Sequence, residues 1–231
     1  MKRLLKRIIN SAHYRAQSLF FNALYFRYWL IYRTFKRHTM IPQKIYINNL
    51  RLAKDFSHIP GAIVECGTWR GGMIGGLATV LGNRKYFLFD SFEGLPPARE
   101  IDGSGAIQWQ NDTKSPLFFD NCTADIAWAQ EAMRISGAND VIIQKGWFSD
   151  TLKSIPTTTD IAILRLDGDW YDSTMDCLIQ LFPLVVKNGV VIIDDYCAWS
   201  GCRKAVHDYL SKNDIDVCIC QYNNSVTYIK K

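Results

Sequence analysis

Two stretches of the sequence carry carboxylates in a pattern that can hold a cation: residues 161–171, IAILRLDGDWY, and residues 189–196, GVVIIDDY. Each is a short, largely β-branched run that stops abruptly in acid, with Asp167 and Asp169 ending the first and Asp194 and Asp195 the second. Runs of this kind without polar alternation suit strands buried on both faces of a parallel sheet. The acids then lie at the carboxyl ends of the strands, where open α/β sheets bind their ligands. Asp167, Asp194 and Asp195 delivered to one edge repel one another unless something cationic sits between them. A hard dication, Mg²⁺ or Mn²⁺, accepts a few carboxylate oxygens and keeps positions open for water or substrate. A lone Asp at a strand end commonly does no more than cap a helix or hold loop amides. Four at two strand ends exceed what capping uses.

The elements that must position these acids follow from the same patterns. GAIVECG (residues 61–67) reads as a first strand, and GTWRGGMIGGLATVLG after it as a glycine-punctuated turn opening a helix. Gly67, Gly71 and Gly72 let backbone approach a ligand, and a helix N-terminus offers free amides to an anion. The spacing is GxxxGG where a dinucleotide fingerprint requires GxGxxG, so the phosphate-binding match fails. Glu65 remains as an acid facing the crevice. KYFLFD ends a second strand in Asp90, 23 residues after Gly67, the place from which an acid accepts ribose hydroxyls, unless it serves only as a turn cap. Residues 99–116 have no periodicity and read as a lid or binding loop, with Trp109 and Asp112 as candidate substrate contacts. DVIIQKG is a third strand, and GWFSDTL after it sets Trp147 and Phe148 where an aromatic ring can lie on a purine, with plain core packing as the alternative. Helices are expected over residues 41–56, 121–136, 174–189 and 202–211. VCICQYNN and VTYIKK close the chain as a hairpin across Asn-Asn-Ser. The fold expected is α/β, a Rossmann-like doubly wound sheet of seven strands with a C-terminal antiparallel hairpin.

Charge is unevenly spread. The chain carries a net +5, yet residues 1–40 hold nine Lys or Arg and no acid, which leaves 18 basic residues against 22 acids in the remainder. The domain over residues 41–231 is therefore acidic, and residues 1–40 form a basic, aromatic, helical extension. Asn22 and Arg27 interrupt its apolar run, which is too short for a clean span, and no small-residue cleavage site follows. Two readings stand for residues 1–38: peripheral contact with an anionic membrane face, or docking on the domain or on a second subunit of a homodimer or higher oligomer. An acidic body and an apolar basic helix argue against nucleic acid. Seven cysteines without CxxC spacing argue against a disulfide framework or zinc cage and fit a reducing cytoplasm.

Taken together, VECGTWRGG, FDSFEGLPP, KGWFSDTL, LRLDGDWYDST and VIIDDYCAWSGCRKAV, in this order and spacing, resemble the macrocin O-methyltransferase (TylF-like) family of class I S-adenosylmethionine-dependent methyltransferases, which methylate sugar hydroxyls. The resemblance covers roughly residues 40–210. It implies a Mg²⁺-dependent enzyme with the metal on Asp167, Asp194 and Asp195 and Asp169 as general base. It gives Glu65, Gly67, Thr68, Asp90, Ser91, Trp147 and Phe148 to S-adenosyl-L-methionine. Trp170 stands where the family more often has Leu, and His207 where an acid is common. The basic aromatic N-terminus is a third feature not shared with the family, and all three departures fall on the acceptor side.

The chemistry of the residues agrees with that implication. A sugar hydroxyl is a poor nucleophile until its proton is removed or its oxygen polarised, and a chelated dication beside a carboxylate does both. The same cluster would serve a catechol-like or other vicinal diol. A silent module tethered to membrane or partner by its basic helix would leave the carboxylate set without a task.

Overall fold

The computed structural model describes residues 25–231. Seven strands form one sheet in the order β3-β2-β1-β4-β5-β7-β6: β1 Ala62–Cys66, β2 Lys85–Asp90, β3 Asp140–Lys145, β4 Ile161–Leu166, β5 Val185–Ile193, β6 Ile219–Tyr222 and β7 Val226–Lys230. β1 to β5 are parallel, and β7 runs antiparallel between β5 and β6. The expected seven-stranded sheet and its terminal hairpin are both present. Asn223 and Asn224 carry the positive φ values of the hairpin turn, a conformation Asn tolerates well.

Helices α1 (Phe26–Phe35), α2 (Gln43–Asp55), α3 (Gly72–Leu81) and α5 (Ile126–Ser136) cover one face of the sheet. α6 (Phe148–Thr151), α7 (Tyr171–Leu181) and α8 (Ser200–Lys212) lie on the other. β1 and β4 are buried along their whole length, as unalternating apolar runs require. Within α3 the glycines serve packing: a methyl on Gly75 would meet the Phe35 ring at 2.7 Å, and one on Gly76 would overlap the Tyr46 hydroxyl. Docking is thus the observed arrangement for the last part of the N-terminal extension, with Ile31 and Phe35 buried in the main core. The part of that extension before residue 25 lies outside the described residues. Among those described, no helix is long and apolar enough to cross a membrane.

The segment expected to be a loop over residues 99–116 is partly helical. A 3₁₀ turn, Glu100–Asp102, precedes α4, Ser104–Asn111. Buried Asp102 fixes it by accepting the Tyr171 amide at 2.7 Å and the Arg99 amide at 2.8 Å, while Ser200 donates to its carbonyl at 3.0 Å. Two acceptor oxygens reached by amides from separate segments turn an aperiodic sequence into an anchored one, which periodicity cannot reveal.

Candidate active site

The carboxyl ends of β1, β2, β3, β4 and β5 surround a cavity of about 680 Å³. The residues expected to hold donor and metal and to act as base all line it: Glu65, Gly67, Thr68, Asp90, Ser91, Trp147, Phe148, Asp167, Asp169, Asp194 and Asp195. Of the two expected substrate contacts in the 99–116 segment, neither lines it. Asp112 is exposed, and Trp109 packs against Trp170 and Trp199 with ring centroids 6.1 and 6.0 Å away.

On the β1–β2 side, one carboxylate is absorbed by the fold. Asp90 accepts the amides of Thr68 at 2.7 Å and Trp69 at 2.6 Å on one oxygen, and that of Phe92 at 2.6 Å on the other. The anion held by the turn after β1 is therefore the chain's own. The first amide of α3, on Gly72, is likewise taken, by the His38 carbonyl at 3.0 Å. Burial raises the Asp90 pKa and the three amides oppose that. Ser91 donates to the Gly94 carbonyl at 3.0 Å, so its hydroxyl serves the turn. Gly67 has φ +87, and a Cβ there would overlap the Asp167 carbonyl. Its close approach is to β4, which draws the ends of β1 and β4 together. Glu65 is fully buried, and its Oε2 has no partner although it borders the cavity.

Beneath the acids lies a residue that sequence reasoning passed over. Arg165, inside the apolar run of β4, is wholly buried. Its Nη1 donates to Glu65 Oε1 at 3.0 Å and Asp167 Oδ2 at 2.7 Å, and its Nη2 lies 2.7 Å from Asp194 Oδ1. A built-in guanidinium therefore supplies the first positive charge between the carboxylates. Its signal was available in the sequence: an Arg in a strand otherwise apolar enough for a sheet centre must find acids there. Burial works against that charge, and the three carboxylates outweigh it to raise the Arg165 pKa.

One guanidinium does not balance the cluster. Asp167, Asp194 and Asp195 each offer an oxygen within 4.8 Å of the others. Asp169 sits beside them at φ +59 in the Asp-Gly-Asp turn, its amide 3.0 Å from Asp195 Oδ2 and its Oδ1 accepting the Trp199 indole N–H at 2.7 Å. Burial first, then the Asp167 charge, pushes Asp169 up to about 8, against the Trp199 bond. Burial likewise raises Asp167 to about 6 and Asp195 well above the usual carboxylate range, each further raised by its acidic neighbours. Glu65 is pushed up to about 8 by burial, which outweighs Arg165. A hard dication fits this donor set: three converging carboxylate oxygens, too little positive charge, and an opening to the cavity.

Two walls complete the cavity. His38, Thr39, Met40, Ile41 and Pro42, the link from α1 to α2, form one; Trp147, Phe148, Leu117 and Phe119 stand on the other. Gly168 lets the Phe148 ring come close, since a Cβ there would meet it at 3.0 Å. Eight acids, Glu65, Asp90, Asp167, Asp169, Asp172, Asp176, Asp194 and Asp195, line the cavity, together with Arg165 and His38.

The family model described as Macrocin-O-methyltransferase (TylF) matches residues 35–231. Demethyldecarbamoylnovobiocin O-methyltransferase of Streptomyces niveus is 37% identical, over 77% of this chain and 70% of that protein. Mycinamicin III 3''-O-methyltransferase of Micromonospora griseorubida is 32% identical, over 84% and 78%. Among solved structures, the O-methyltransferase NovP superposes with a TM-score of 0.68 at 30% identity, covering 84% of this chain and 82% of that one.

Proposed function

The chain belongs to the macrocin-O-methyltransferase (TylF) family and is an O-methyltransferase, and from that premise we propose that it transfers the methyl group of S-adenosylmethionine to a sugar hydroxyl of a glycan or glycosylated small molecule, with Mg²⁺ held by Asp167, Asp194 and Asp195. The observation that carries this reading is the convergence of those three carboxylates within 4.8 Å, beside Asp169, in one cavity.

The metal would polarise the acceptor oxygen and fix its angle. Asp169 then takes the hydroxyl proton on Oδ2, the oxygen that Trp199 leaves free, and its upward-shifted pKa suits a base working near neutrality. Glu65 offers the partnerless Oε2 to the ammonium of the donor's methionyl end, and Phe148 and Trp147 offer ring faces to adenine. Arg165 keeps one oxygen each of Asp167 and Asp194 turned inward, which leaves the opposite oxygens for the cation. The two relatives act, by their names, on demethyldecarbamoylnovobiocin and on mycinamicin III.

Labelled S-adenosylmethionine offered with a panel of neutral glycosides and a catechol, in EDTA and then with Mg²⁺, tests the proposal. Glycoside methylation that EDTA abolishes and Mg²⁺ restores is expected. Methylation confined to the catechol, or indifferent to EDTA, would contradict the sugar acceptor or the metal respectively.

A further inference from the structure

Helix α1 has two faces with different partners. Its inner face is accounted for: Ile31 and Phe35 are buried, and Tyr32 meets Tyr46 edge-to-face at 5.4 Å. The outer face is not. Phe26 is 57% and Leu30 47% exposed, Trp29 stacks on Phe26 at 5.6 Å, and Arg33 lies over Trp29 at 5.5 Å. Arg27, Arg33, Lys36 and Arg37 are all exposed on or beside this face. Phe26, Leu30, Arg33 and Arg37 recur at helical spacing, so apolar and cationic groups share one surface, and Thr34 is the only neutral polar residue exposed on the helix. The family match begins at residue 35, so Phe26, Trp29, Leu30 and Arg33 lie outside what the family model covers.

Charge narrows the choice of occupant. The first acid in the chain is Asp55, and residues 1–54 contain twelve Lys or Arg. The residues before α1 thus bring five more cations and no acid, so they offer nothing opposite in sign to this face. A second copy docked about a two-fold axis would set the face against itself, cation on cation. Nucleic acid would meet Phe26 and Leu30 where a polar stripe is needed. The occupant must supply negative charge and an apolar layer at once. We propose that the outer face of α1 docks on an anionic lipid bilayer, with Phe26, Trp29 and Leu30 at the depth of the acyl boundary and the four cations among the headgroups. α1 leads directly into residues 38–42, which wall the cavity, so docking would hold the site close to the membrane surface.

The test uses the full chain and vesicles of phosphatidylglycerol and phosphatidylethanolamine, with pure phosphatidylcholine vesicles as control, in flotation. Binding to the anionic vesicles that fades as salt rises is expected. Arg33→Ala/Arg37→Ala should weaken it about thirtyfold, since each cation near such a surface is worth roughly a factor of five. Phe26→Glu/Leu30→Glu should abolish it. Both pairs are solvent-exposed, and unchanged thermal unfolding of either pair confirms that folding is intact. Absence of binding to anionic vesicles, or equal binding to neutral ones, overturns the proposal. So does unchanged flotation in both variants, or a dimer seen by light scattering that only the variants lose, which would make the face a protein interface.

Discussion

Asp90 and Asp169 stand on two sides of the same cavity and have opposite fates. Asp90, ending β2, is fastened by three backbone amides, and the carboxylate is part of the scaffold. Asp169, with Asp167, Asp194 and Asp195, faces one guanidinium and one indole. At β2 the fold uses up its acid, while at β4 and β5 it leaves negative charge over. That surplus is what the proposed cation would offset, and the amide-bound acid marks the half whose shape is already set. Carboxylate count alone does not distinguish the two; partner count does.

The contrast can be broken in four ways, in order of expected effect. Asp169→Asn should lower kcat by about two orders of magnitude or more, the usual share of a general base, while calorimetry still finds donor and metal bound; full turnover would remove Asp169 from that role. Arg165→Met leaves buried Glu65 and half-buried Asp167 and Asp194 without their counter-ion. A loss of about 3–5 kcal/mol is expected in urea unfolding, with Mg²⁺ restoring more stability to the variant than to the parent. Equal Mg²⁺ gains in both would show that the guanidinium and the metal do not share these acids.

Glu65 gives a pH test. Its folded pKa lies near 8, above the unfolded carboxylate range, so the folded state holds a proton that the unfolded state has released. Its contribution is present at low pH and is lost as pH rises toward and through about 8. Glu65→Gln should flatten the fall in melting temperature over that window; an unchanged slope would place the titration elsewhere. The smallest effect belongs to Trp199→Phe, which keeps a ring in the tryptophan trio and removes the N–H on Asp169. A hydrogen bond to a charged group is worth roughly 1.5–3 kcal/mol, and the loss should appear in kcat with KM little changed.

How far the sequence revealed this site depended on the kind of signal. Strand ends rich in acid mark the cavity because buried parallel strands read as unbroken apolar runs, and Asp167, Asp194 and Asp195 could be named for that reason. Arg165 was hidden by the same pattern, a single charge inside a run classified as apolar. Trp199 and Asp102 act across large sequence separations, on Asp169 and on Tyr171, and no local spacing announces them. Gly67, Gly71 and Gly72 suggested room for a ligand. In the fold Gly71 admits Ala129 of α5, Gly72 the His38 carbonyl, and Gly67 the end of β4. A small residue signals a close approach without saying by what.

The most direct test of a two-part site is calorimetric titration of S-adenosylhomocysteine and of Mg²⁺ into the protein and into Asp194→Asn/Asp195→Asn. The account predicts micromolar nucleoside binding in both proteins and a Mg²⁺ site only in the parent. Failure of the nucleoside to bind under any metal condition, or Mg²⁺ binding untouched by the double substitution, would contradict it.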